Sequence, residues 1–208
     1  MPLIRLQLMK VPKVFGRILD RGIIMQIELT SNYKGKCLIA VPGMKDDVFS
    51  NAVIYITEHN SVSGAIGVII NKTLPDSKPV MSTNFDFSKY TQEWSNIPFY
   101  FGGPVELGSG FVLHDSVSDS SDLVLTGDRR KIHQLASSGT VKPWILTAGY
   151  CLWDSFQLER EIRHNTWLIV DGSPQHFFQE IHPQDRYRPG KALQHSSQVE
   201  GARLWPRH

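Results

Sequence analysis

Apolar residues arrive in short runs separated by polar, turn-forming stretches, a pattern of strands joined by loops with a few helices between them. "CLIAVPG" at 37–43 is an apolar run halted by Pro42 and Gly43, which predicts a strand ending in a turn. "MKDDVFSN" follows with two acids, the N-cap and first turn of one short helical segment. "AVIYITEHN" and "GAIGVIINK" are β-branched runs that predict a hairpin across a loop of about four to six residues, with Gly64 and Gly67 close-packed or bulged at its loop side. Residues 72–96 are polar and hold two prolines, which predicts a loop with at most one short helix. "IPFYF", "GFVLH", "DLVLTG", "KPWILTAGY" and "TWLIV" read as further strands.

Helical spacing occurs twice. In "DRRKIHQLASSG", Asp128 is the N-cap, Ile132, Leu135 and Ala136 stand at i, i+3 and i+4, and Gly139 is the stop. "WDSFQLEREIRHN" gives the stronger pattern. Asp154 or Ser155 caps it, Phe156, Leu158 and Ile162 supply apolar contacts, and Glu159–Arg163 forms an i, i+4 pair. Apolar periodicity ends after Pro183, and no internal repeat is present.

The 208 residues, 41% hydrophobic and 20% charged, suit one domain or two small ones and suffice to bury a core. Cys37 and Cys151 sit among apolar neighbours and read as buried thiols, consistent with a reducing, cytoplasmic setting. The longest stretches free of Asp, Glu, Lys, Arg and His are Asn60–Asn71 and Trp94–Val105, too short for a membrane-spanning helix. Net charge is +2, but Arg5, Lys10, Lys13, Arg17 and Arg21 face Asp20 alone within residues 1–24. The remainder is therefore slightly acidic, which argues against a direct nucleic-acid surface. The expected organisation is a cationic, disordered extension over 1–24, a domain over 25–182 and a polar, poorly ordered tail over 183–208. A surface or membrane-touching helix in the extension, or a true start at Met25, are its alternatives.

The glycine-rich "FGGPVELGSGFVLH" at 101–114 could be a phosphate cradle or a chain corner. A cradle needs glycine-freed N–H groups aimed at a helix N-terminus, usually with a Lys. Here Gly102 and Gly103 lead into Pro104, which has no N–H, a strand follows, and no Lys or Arg lies between Phe101 and His114. The corner is the favoured reading. No G-x-S-x-G elbow occurs, and His114, Asp115 and Ser116 are sequence neighbours that a strand would point to opposite faces. Glu58-His59 reads as a polar strand end, with an acid/base pair as its rival. No two histidines lie three to five residues apart and no C-x-x-C occurs, so no metal site is expected.

Several segments together resemble the AlgH (YqgE) family of bacterial proteins. They are "LIAVPG", "DDVFSNAVIYITEHN", "GAIGVIINK", "FGGPVELGSGFVLH", "LVLTG" and "GYCLWDSFQLEREIRHNTWL", spanning Met25 to about Phe178. The resemblance implies a single compact α/β (mixed α+β) domain with a branched mixed β-sheet flanked by a few helices. It also implies a cytosolic protein without a known cofactor, and a regulatory role of unsettled molecular activity. The chain departs from the family in two places. The family's usual glycine-rich turn is here "GYCLWDSFQLE", so Cys151, Leu152, Asp154 and Phe156 fill positions usually small. The closing helix meets "HPQDRYRPGKAL", whose Pro189-Gly190 would break it.

The reading is a non-catalytic binding or regulatory module whose partner is another protein, with a small-molecule ligand as an alternative and no cofactor. One rival is an enzyme or small-anion binder using the face near His59, Asn71, Lys72 and Gly102–Pro104, with His114 a further ligand candidate. The other is a DNA-binding transcriptional regulator. The sequence leaves the oligomeric state open.

Overall fold

A computed structural model of the chain describes residues 32–74, 99–116, 122–139, 143–171 and Phe178. The expected extension, nearly all of the polar 72–96 loop and the expected tail lie outside them. Eight strands and two helices are assigned among the described residues, a mixed α+β arrangement as expected. The strands are β1 (Cys37–Ala40), β2 (Val53–Asn60), β3 (Gly64–Ile69), β4 (Phe99–Phe101), β5 (Val105–Asp115), β6 (Leu123–Thr126), β7 (Pro143–Trp153) and β8 (Trp167–Val170). The helices are α1 (Arg129–Ser138) and α2 (Gln157–Arg163). Among the described residues no helix is long and apolar enough to cross a membrane.

The strand order is β6-β5-β7-β3-β2-β1-β8, and all these neighbours run antiparallel. β4 stands off this path and pairs in parallel with β7 through Phe99↔Leu146, Tyr100↔Thr147 and Phe101↔Ala148. β7 is thus the common strand. Its first part carries β5 and β4, and its last residues, Cys151 to Trp153, carry β3.

Near-continuous apolar runs are required because both faces of β1 and β2 are covered. Cys37, Ile39, Val53 and Tyr55 pack on one side with Val68, Leu113, Trp144 and Val170. Leu38, Ala40, Ile54 and Ile56 pack on the other with Trp153, Leu158, Ile162 and Trp167. Both cysteines are free and buried, as their neighbours predicted. The β2–β3 hairpin is present, closed by the tighter turn 61–63.

α1 follows its sequence signals. The Asp128 side chain accepts from the Arg130 and Lys131 backbone N–H groups, and Gly139 ends the helix in the left-handed region at φ 62°. α2 departs from expectation. Neither Asp154 nor Ser155 caps it; the N-cap is Phe156 at φ 57°, without a side-chain cap bond. The β2–β3 turn takes these groups instead: Phe156 N donates to the Ser61 carbonyl (2.9 Å) and Ser155 Oγ to the same oxygen (3.3 Å). Phe156 is half exposed and is not among the buried core residues. Glu159 does not pair with Arg163 through its carboxylate; Arg163 Nε reaches only the Glu159 backbone carbonyl (3.3 Å). What anchors α2 is Glu161, whose Oε2 accepts from both Trp153 Nε1 (2.9 Å) and Trp167 Nε1 (2.7 Å). "MKDDVFSN" forms a single turn, with Asp46 Oδ1 accepting from Val48 N and Phe49 N.

Candidate functional site

The glycine corner lies where three strands meet. Gly102 N donates to the Ala148 carbonyl of β7 (2.9 Å), and Gly102 O accepts from Ile69 N at the end of β3 (2.8 Å) and from Cys151 Sγ (3.4 Å). A Cβ on Gly102 would stand 2.3 Å from the Gly149 carbonyl oxygen, and one on Gly103 2.3 Å from the Tyr150 carbonyl. Gly103 also has φ 152°, which L side chains rarely adopt. The glycines therefore admit a neighbouring strand. With the Gly102 N–H spent on β7, it is not available to an anion; Pro104, exposed, has no N–H to offer.

Asn71 and Lys72 lie beside this corner. Asn71 ties the end of β3 to the entry of β2: its Oδ1 accepts from Val53 N and its Nδ2 donates to the Asn51 carbonyl, both at 2.8 Å. Lys72 Nζ donates to the Val48 carbonyl, and its own carbonyl accepts from Phe101 N (2.8 Å). Burial lowers the Lys72 ammonium, against the nearby Asp46 and Cys151, which raise it. Burial also pushes both thiols well up, so neither is a thiolate near neutrality.

His59 is elsewhere. It pairs with Ala65 at the start of β3, whereas Asn71 and Lys72 follow the other end of that strand. Its side chain is 2% exposed, between Tyr33 and α2. Nδ1 lies 3.2 Å from the Tyr33 backbone N–H, which can only donate, so Nδ1 accepts and the proton sits on Nε2, 3.1 Å from Glu159 Oε1. Burial would raise the Glu159 carboxyl, but hydrogen bonds from Ser61, the backbone and His59 outweigh it and hold it below the ordinary carboxylate range. The Tyr33 hydroxyl is buried beside this pair without a hydrogen-bond partner. Sequence reasoning took Glu58-His59 for a polar strand end. It missed Glu159 because helical spacing pointed that carboxylate at Arg163.

His114 is separate again, level with Pro143 at the far end of β7. The Asp115 carbonyl can only accept, so Nδ1 carries the proton (2.7 Å), and Nε2 accepts from the Thr126 hydroxyl (2.9 Å). Burial lowers its pKa, against the Asp115 bond and charge. Asp115 Oδ1 is taken by Trp144 Nε1 (2.6 Å), so no triad forms. The sequence candidates thus fall into three places: Asn71, Lys72 and Gly102–Pro104 together, His59 at the opposite end of β3, and His114 apart from both. Among the described residues no cluster of His, Cys, Asp and Glu could hold a metal.

A mixed α+β protein whose His59, His114 and glycine corner are engaged in internal packing has a family on other grounds. A profile of the AlgH-like family matches residues 37–196, and the chain belongs to that family. It is 35% identical to a UPF0301 protein of Dechloromonas aromatica over 167 residues, covering 77% of this chain and 87% of that one. A UPF0301 protein of Cupriavidus metallidurans is 34% identical with the same coverage. Among solved structures, the AlgH protein from Pseudomonas aeruginosa superposes with a TM-score of 0.56 at 28% identity, over 81% of this chain and 95% of that one. A protein of Corynebacterium diphtheriae shares the fold, with a TM-score of 0.51 at 22% identity over 72% of this chain and 81% of that one.

Proposed function

We propose that the chain is a non-catalytic, cytoplasmic binding module with a regulatory role of the AlgH type, acting on another protein through one domain over 25–182 in which β7 is the branch point. The observation that carries this reading is the fate of its titratable groups. Both ring nitrogens of His59 and both of His114 are committed to internal hydrogen bonds, and the two thiols are held protonated. A general base needs a free lone pair within reach of a substrate proton, and a nucleophile needs an ionisable form. Neither condition is met at these positions.

Affinity capture from the native cell, with mass spectrometry of co-purifying proteins and metabolites, tests the proposal. The expected result is a reproducible protein partner. An enriched metabolite that the purified chain converts would replace this reading with the enzyme. A sequence-selective DNA shift at about 10⁻⁸ M in physiological salt would replace it with the DNA-binding regulator.

A further inference from the structure

Glu58, Ile66 and Leu152 are aligned partners on the adjacent strands β2, β3 and β7, so their side chains share one face of the sheet. Tyr150, two residues before Leu152, belongs to the same face. Leu152 is 49% exposed, and Ile66 and Tyr150 are half-buried. Next to Tyr150 the β5–β7 register shifts between Val105 and Gly110. Within that shift Glu106 has φ 53°, and Leu107, 45% exposed, reaches over Gly149. Tyr150 Oη donates to Glu106 Oε1 (3.3 Å), fixing the acid at the margin of the apolar strip. A non-glycine residue in the left-handed region is strained, and here the strained turn holds an acid and a leucine exposed to solvent.

The strands β2, β3, β5 and β7 contain no Lys or Arg, while Glu58 and Glu106 bound the strip at either end. The segment hydrogen-bonded beside β2 carries Lys34 and Lys36, whose charges are paired with Asp122 (3.1 Å) and Asp171 (3.0 Å). An apolar strip with an acid at each end favours a partner that brings its own apolar side chains flanked by cations, because like charge at those ends is repelled.

We propose that the strip of Ile66, Leu107, Tyr150 and Leu152, between Glu58 and Glu106, docks a cationic amphipathic segment of a partner protein. The proposal rests on the binding-module reading and names the surface it uses.

The test titrates the isotope-labelled full chain with a synthetic amphipathic helix of about 18 Leu and Lys residues, and with a twin carrying Glu for every Lys. The Lys peptide is expected to shift the amide resonances of Ile66, Leu107, Tyr150 and Leu152 with Kd about 10⁻⁵–10⁻⁴ M, and the Glu twin to bind about tenfold or more weakly. Leu152→Ser, at a half-exposed position and expected to leave the spectrum dispersed, is expected to weaken the Lys peptide about fivefold or more. Shifts confined to other surfaces, equal affinity for the twins, or no binding up to about 1 mM overturn the proposal. So does self-association that Leu152→Ser abolishes, since the strip would then belong to a second copy. Affinity capture separates the two levels. If wild type and Leu152→Ser return the same partner equally, the strip is wrong and the module reading stands. If the wild type returns none, both fall.

Discussion

Gly103 and Phe156 both have positive φ and carry opposite messages about side-chain space. At Gly103 a side chain has nowhere to go, because its Cβ would stand 2.3 Å from the Tyr150 carbonyl. Gly103→Ala is expected to cost about 3 kcal/mol or more in urea unfolding, overpacking added to backbone strain. A phosphate cradle predicts the reverse, unchanged stability with lost binding of inorganic phosphate. Phe156 holds φ 57° with its ring half exposed, so little packing repays the strain. The family resemblance leads one to expect a small residue at this position, and left-handed geometry supplies a physical reason for one. Phe156→Gly is expected to raise stability by about 0.5–1 kcal/mol, the relieved strain exceeding glycine's entropic cost, with the denaturant midpoint as the readout. A lower midpoint would show that the ring contributes packing.

At the scale of elements, two buried pairings tie helix and strands to pH. The Glu159 carboxyl lies below its unfolded value, so its stabilisation is complete above the ordinary carboxylate range and is lost as pH falls through the folded value. His114 is also lowered, so it too favours the fold above about pH 6.5 and erodes it as acid charges the buried ring. Stability should therefore decline in two acid steps, the higher one removed by His114→Gln and the lower one by Glu159→Gln. Glu159→Ala, which strips His59 of its acceptor, should cost about 2–4 kcal/mol at pH 7. A wild-type unfolding free energy that stays flat from about pH 7 to pH 4 would contradict this.

The strands, the hairpin and α1 were legible in the sequence because their signals are local: β-branched runs, Asp128 and Gly139. The ends of α2 were not, because its cap is decided by a bond from Phe156 N to Ser61, 95 positions away along the chain. The same limit hid the partner of His59 and scattered the candidate face, since sequence order does not say which end of β3 a residue occupies. The glycine corner was read correctly as geometry, but its cause, a neighbouring strand's carbonyls, needed the three-strand junction to be seen.

Across the whole molecule, the charge break after residue 24 and the start of the family match at Cys37 leave the first residues outside the matched span. Deleting residues 1–24 is expected to move the melting temperature by less than about 4 °C. A larger drop would mean that the segment packs on the core. The one strand on which β3, β4 and β5 all depend raises a different issue, that of timing. Among the described strands β7 is synthesised after all but β8, and roughly 50 residues, or about 3–10 s of translation, separate β4 from its completion. Until then three strands emerge with open edges and no common partner. A nascent chain halted before Pro143 would present those edges to one another between neighbouring ribosomes. The interval in which this protein is most exposed to aggregation is therefore set by the rate of elongation through a single late strand.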